Sequence, residues 1–346
     1  MKLATQLMYD GNPRRAADAV VALEQAGLDQ VWVAEAYGFD SPTLMGYLAA
    51  RTERVEIGSA ILNIYSRTPG ALLQTAAGLD NVSGGRAILG LGASGPQVIE
   101  GFHGVPYSKP LARTAEIVDL VRRGLRREPL TADGTFHLPL TKEHGAITGL
   151  GKPLKLLTRP ERDTIPIWIA ALGARSVEQT AEIADGWIPH LFHPELSGRV
   201  WGDALAAGAA RRQEGLAPLE VMAGGMVAIG EGPDTLALLD LARPLFALYV
   251  GGMGAKGKNF YNDVARSYGY EEEAERIQDL YLSGKKKEAE ALVPQAWLEA
   301  SNLVGPASYV RERIEAFREA GVTTVHVTPV SDDPAATVAQ VREMLP

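Results

Sequence analysis

One pattern, repeated three times in about the first 85 residues, limits the folds open to this chain. An apolar run is followed by a polar residue and a proline, then by apolar residues at helical spacing, then by a turn. Leu3–Leu7 leads to Asn12-Pro13, then to Ala16, Ala17, Val20 and Leu23, and closes at Gly27. Val31–Val33 leads to Ser41-Pro42 and a helix ending near Arg51. Val55–Leu62 leads to Thr68-Pro69 and a helix through Leu79. Asn, Ser and Thr suit the N-cap of a helix, and Pro suits its first position. The runs are short and apolar on both faces, as strands of a parallel sheet are. Three such units predict βαβ architecture.

Five later apolar runs fit further strands: Ala87–Leu91, Ile165–Ala170, Gly186–Pro189, Val221–Ile229 and Thr324–Thr328. Helical patterns lie at Ser176–Ala184, Pro194–Gln213, Thr235–Tyr249 and Ser308–Ala320, the last stopping at Gly321. Eight strand–helix units predict a TIM (β/α)8 barrel, with an open doubly wound sheet as the alternative. We read residues 1–346 as one domain. Two intervals, Glu128–Thr164 and Gly230–Leu303, are too long for a plain unit and read as insertions. Both follow strands, and in a barrel the loops after strands form the active-site face.

Composition removes several functions. The 42 acidic and 34 basic residues leave a net charge of −8, which disfavours nucleic-acid and anionic-membrane binding. The longest uncharged stretch, Ala87–Ile99, is too short to cross a bilayer. The opening MKLATQLMYDGNP has no signal-peptide apolar region, and a cytoplasmic protein is expected. With no cysteine there is no disulfide framework, thiolate metal site, iron–sulfur cluster or Cys nucleophile.

The candidates for chemistry sit at strand ends. Gly90-Leu91-Gly92-Ala93-Ser94-Gly95 fits G-x-G-x-x-G, but Pro96, Gly101, Gly104 and Pro106 follow, so no helix is expected to open at once. A dinucleotide site needs that helix, so the loop reads instead as glycine-lined backbone that a ligand can approach closely. Gly173-Ala174-Arg175-Ser176 follows a strand and opens a helix, where free N–H groups and the helix dipole attract an anion. An ordinary turn with a surface arginine is the plainer reading. Glu35 ends the second strand, as a general acid, a ligand holder, or a carboxylate bonded to a neighbouring loop. The six histidines are scattered, with no recognised metal spacing. His190 and His326 end strands and face either a pocket or a structural partner. There is no G-x-S-x-G elbow, P-loop or S-x-x-K, so the hard chemistry is expected to belong to a bound cofactor.

The run LDNVSGGRAILGLGASGPQV (Leu79–Val98) resembles the signature of the bacterial luciferase-like superfamily. IAALGARSVEQTAEIADGWIP (Ile169–Pro189) resembles its second hallmark. GGMGAKGKNFYNDVARSYG resembles the branch of deazaflavin-dependent oxidoreductases, whose relatives include methylenetetrahydromethanopterin reductase and deazaflavin-dependent glucose-6-phosphate and secondary-alcohol dehydrogenases. The resemblance implies a TIM barrel binding coenzyme F-420, or in related members FMN, at its C-terminal mouth, with hydride transfer at the deazaflavin C5. It implies a cis peptide at Ala60–Ile61 behind the ring, Asn63 near the cofactor head, and Gly92, Ala93 and Ser94 along the ribityl or phosphate portion. It also implies Gly173, Ala174 and Arg175 at the phosphate and an anionic oligoglutamate tail, for which Lys256 and Lys258 on the Gly-rich insertion are candidate partners, a solvated loop being the plainer reading; His190, from its strand end, is a candidate for the cofactor site.

One departure stands out. The sugar and alcohol dehydrogenases carry an Asp-His pair at the end of the second strand, where this chain has Glu35-Ala36. That shifts the expectation to a reductase of an activated C=C or C=N bond in a small organic substrate, with Glu35, Tyr37 or water as proton source. The alternatives are an FMN-dependent monooxygenase and a non-catalytic cofactor-binding protein. The resemblance also implies a homodimer.

Overall fold

The computed structural model describes residues 1–8 and 11–346. Eight parallel strands close on themselves: β1 (Lys2–Leu7), β2 (Gln30–Val33), β3 (Glu56–Ser59), β4 (Ala87–Gly92), β5 (Ile167–Ala170), β6 (Gly186–Ile188), β7 (Glu220–Ile229) and β8 (Thr324–Pro329). Each pairs with the next, and β1 also pairs with β8, with Lys2 opposite Thr324 and Ala4 opposite His326. This closure rules out the open sheet. Eight helices pack outside: α1 (Pro13–Gln25), α2 (Ser41–Ala49), α3 (Pro69–Ser83), α4 (Pro110–Leu125), α5 (Ala174–Ile183), α6 (Pro194–Ala209), α7 (Ala307–Glu319) and α8 (Pro334–Met344).

The capping residues act largely as their chemistry dictates. The Asn12 side chain accepts N–H bonds from Arg14 and Arg15, and Thr68 accepts one from Ala71. At α2 the cap is Asp40 rather than Ser41: Asp40 keeps the extended backbone of a cap and its carboxylate accepts Thr43 N–H, whereas Ser41 is already the first helical residue. The third strand is shorter than the apolar run Val55–Leu62. It stops at Ser59, the Ala60–Ile61 peptide is cis, and Leu62–Asn63 pairs with Leu91 and Gly92.

Inward-facing side chains alternate along each strand. The lower barrel is filled by Ala4, Trp32, Ile88, Trp168 and Met222, with the two indole rings 5.1 Å apart. Space for them comes from two neighbouring positions that lack a side chain. A Cβ on Gly58 would lie 2.4 Å from the Trp32 ring, and one on Gly186 would lie 2.1 Å from the Trp168 ring. Below, Trp32 Nε1 donates to Gln30, whose Nε2 donates to Glu56, and Lys2 pairs with the same carboxylate.

Both long intervals emerge as excursions from the barrel. The first carries a hairpin, Ala132–Asp133 against His137–Leu138, fastened to α4 where the Glu116 carboxylate accepts the amides of Thr135 and Phe136. The second holds helices at Phe260–Ser267, Glu271–Leu282, Lys286–Ala291 and Gln295–Ser301. It begins with a broken helical run, Pro233–Gly252, long and apolar enough by length and composition to cross a membrane. That run includes Asp234, Asp240 and Arg243, and Phe246 packs edge-on against Trp297 at 5.1 Å.

Gly186→Ala is expected to destabilise the fold by about 1–3 kcal/mol in urea unfolding, because an indole ring cannot yield as a flexible chain end does. Gly78→Ala in α3, which meets nothing within 4 Å, is expected to leave stability unchanged or raise it slightly.

Candidate active site at the barrel mouth

Above the tryptophan layer, the next inward positions on β2 to β5 and their extensions are Ala34, Ala60, Gly92 and Ala170. Four small residues on adjacent strands leave a low, broad floor. Across from them stand larger groups: Ile188, His190, Met226, His326 and Thr328. The mouth is therefore asymmetric, with small residues on one side and larger, partly polar ones on the other.

His190 and His326 are near neighbours, and the Nε2 atom of each is buried without a hydrogen-bond partner among the described residues. Burial pushes both imidazoles down to about 4, and His326 lowers His190 further. Both are neutral at physiological pH, able to donate or accept one hydrogen bond each. The His190 ring lies 4.0 Å from that of Tyr249 and 5.6 Å from that of Tyr261. Burial raises both phenols. The tyrosines come from the second insertion and are held by Asn259, whose Nδ2 donates to the carbonyls of Tyr249 and Val250 and whose Oδ1 accepts from Tyr261 and Asn262. Tyr37 is exposed at the rim, close enough to Tyr249 to raise its phenol as well.

The N-terminus of α5 opens beside the β5 end. Gly173 is its N-cap, with no side-chain cap, and the amides of Gly173, Ala174 and Arg175 meet no acceptor among the described residues. Arg175 is exposed. The Ser176 hydroxyl adds no free donor, since it donates to Gly173 O at 2.7 Å. Phe260 of the second insertion lies against this turn. On the neighbouring strand end, Ser94 takes φ +57°, and Tyr107 Oη donates to its carbonyl. Contrary to the reading of that loop, a six-residue helix, Pro96–Gly101, does open at once with Gly95 as cap. Proline fits a first helical position, where no N–H is required.

Several residues play other parts than the sequence suggested. Glu35 is buried, and its two oxygens accept both terminal nitrogens of Arg67 at 2.8 Å, while Ser41 N–H donates to Oε2 at 3.0 Å. A carboxylate so engaged is an acceptor that joins two loops, not a free proton donor. Arg67, raised mainly by this pair, was not singled out from sequence, and no local pattern marks a partner 32 residues away. Asn63 Oδ1 accepts from Tyr65 and Ser66, and its Nδ2 contacts His103 Nε2, so it shapes its own loop. Lys256 pairs with Asp279 at 2.7 Å inside its own insertion, which weakens its case as a tail partner.

Residues 1–324 match the family described as luciferase-like monooxygenase. A Mycobacterium tuberculosis protein named for coenzyme F-420-dependent oxidoreduction is 41% identical over 352 residues, covering 99% of this chain and 98% of its own. The chain belongs to the luciferase-like family. The 5,10-methylenetetrahydromethanopterin reductase of Archaeoglobus fulgidus is 25% identical over 331 residues, with 93% and 92% of the two chains covered. The solved F-420-dependent tetrahydromethanopterin reductase of Methanopyrus kandleri superposes with a TM-score of 0.80 at 22% identity, over 99% and 98% of the two chains. That likeness shows a shared fold.

The neutral histidines set a pH dependence. The unfolded chain takes up protons at His190 and His326 near 6.5, and the folded chain only near 4. The unfolded state thus binds more protons in that window, and stability falls as pH drops from 6.5 towards 4. In thermal scans between these limits, the double variant His190→Asn/His326→Asn is expected to show a flatter Tm profile than the wild type. Equal slopes would show that these imidazoles do not titrate as their burial requires.

Proposed function

We propose that the barrel mouth binds coenzyme F-420 and that the protein is an oxidoreductase acting on a small organic molecule, as a reductase of an activated C=C or C=N bond. The observation that carries this reading is the pairing of an uncapped helix N-terminus at Gly173–Arg175 with a broad floor of small residues in one mouth. The relative that is 41% identical is named for the same coenzyme. The orphaned Nε2 atoms at the mouth are what a polar ligand there would satisfy. When bound, the coenzyme supplies or accepts a hydride at C5.

The chain's own residues orient it. The amides of Gly173, Ala174 and Arg175 and the dipole of α5 hold the phosphate. Gly92, Ala93 and Ser94 line the ribityl portion, and Ala60 and Ile61 back the ring. Asn63 fixes the adjoining loop. His190 faces the ligand as a neutral hydrogen-bonding group. Glu35 clamps Arg67 and the start of α2, a positioning role, and leaves Tyr37 or water as the proton source. In this reading the protein is a cytoplasmic homodimer.

Titration of the apo-protein with F-420 and separately with FMN, followed by tryptophan fluorescence, tests the cofactor class. Selective binding of F-420 is expected, and preference for FMN would move the protein to the monooxygenase reading. Gly173→Asp is expected to weaken F-420 binding at least tenfold, about 1.4 kcal/mol, through repulsion of the phosphate. A Cβ here meets nothing closer than 3.7 Å, so Gly173→Ala is expected to bind almost normally. Equal behaviour of the two variants would place the anion elsewhere. Turnover of enone or imine acceptors with reduced coenzyme separates an enzyme from a carrier.

A further inference from the structure

The first insertion brings together three residues that no linear spacing had marked as ligands. Asp133 and His137 face each other across the hairpin, and His144 folds back onto them from the following loop. The ligand atoms of Asp133, His137 and His144 all lie within 4.8 Å of one another. His137 Nδ1 and Asp133 Oδ1 are 3.1 Å apart. Two ligands each about 2.1 Å from a common ion lie about 3.0–3.4 Å apart, so this edge is already at coordination spacing. The rings of His137 and His144 are stacked with centroids 3.5 Å apart and planes 7° from parallel. Aromatic pairs otherwise prefer offset or edge-on contacts at about 4.5–7 Å. His144 Nδ1 is bonded to Thr141 Oγ1 at 3.0 Å, which leaves its Nε2 without a partner among the described residues.

We propose that Asp133, His137 and His144 form a binding site for a borderline divalent cation, Zn²⁺ above all. Two imidazole nitrogens and one carboxylate select zinc, nickel or copper over calcium and magnesium, which favour all-oxygen sets. The ion takes the place of the proton between His137 Nδ1 and Asp133 Oδ1, and that proton passes by way of solvent to His137 Nε2, so the ring ligates as a neutral imidazole. Parallel rings cannot both aim a lone pair at one ion. His144 therefore tilts out of the stack as it ligates, which its exposed position on the loop permits. Water completes the coordination shell. The ion then clips residues 133–144, the start of an excursion whose later part exposes Ile147, Leu150, Leu154 and Leu157. The site shares no residue with the coenzyme site and does not depend on the function proposed above.

Calorimetric titration of the metal-free full-length chain with Zn²⁺ tests the site. The chain has no thiol to compete for the ion. One ion per chain is expected to bind in the wild type, and His137→Ala and His144→Ala are each expected to weaken it at least tenfold. Both are surface changes, with folding checked by circular dichroism. Zn²⁺ is also expected to slow tryptic cleavage after Lys142, which lies inside the clip, in the wild type but not in the variants. Unaltered affinity in both variants, no saturable binding in the wild type, or cleavage at Lys142 unaffected by Zn²⁺ would overturn the proposal.

Discussion

The stacked layers of the barrel depend on how Trp32 and Trp168 share its lower half. Two indoles at 5.1 Å fill a cross-section that smaller side chains would need several residues to close. They fit because β3 and β6 present glycine at the positions facing them. The plug sets the depth of everything above it. Above that level the inward positions on β2 to β5 are the small residues Ala34, Ala60, Gly92 and Ala170, with Ala60 resting on the plug itself. The polar chain that runs from half-exposed Lys2 and Glu56 to buried Gln30 anchors the plug from beneath, since Gln30 accepts the Trp32 Nε1 proton.

The rim is built by long-range contacts that fix loops to one another. Arg67 and Glu35 join the loop after β3 to the loop after β2 through a two-pronged ion pair that is largely withdrawn from water. Removing either partner would leave a buried charge uncompensated. On the opposite side Asn259 gathers four backbone groups and thereby presents Tyr249 and Tyr261 to His190. Each side of the mouth is thus shaped by one polar side chain with several partners.

The architecture was legible because its signals are local. Each of the eight strands overlaps an apolar run and overruns it by at most one residue, and the N-caps Asn12 and Thr68 stand one residue before a proline, as expected. Local reasoning failed where two signals compete. Pro96, Gly101, Gly104 and Pro106 together argue against a helix, although a proline at the first position suits one and Pro96 begins it. Asp40 takes the cap in place of Ser41, which is already helical and whose N–H is drawn to Glu35. The site was only partly legible. The strand-end positions of Glu35, His190 and His326 followed from the barrel, but their partners did not. Arg67 meets Glu35, Tyr249 meets His190, and His144 meets His137 only after the loops close, and nothing in the spacing encodes those encounters.

The mouth also divides its electrostatics. On the α5 side, three unpaired amides and Arg175 form a positive pole. On the β6–β8 side the polar groups are uncharged imidazoles and phenols, with no carboxylate or ammonium among the residues named there. If the two sides serve coenzyme and substrate respectively, added salt screens one encounter and leaves the other nearly untouched. Through His190, His326, Tyr249 and Tyr261 such a mouth reads its second ligand by shape and neutral hydrogen bonds rather than by charge.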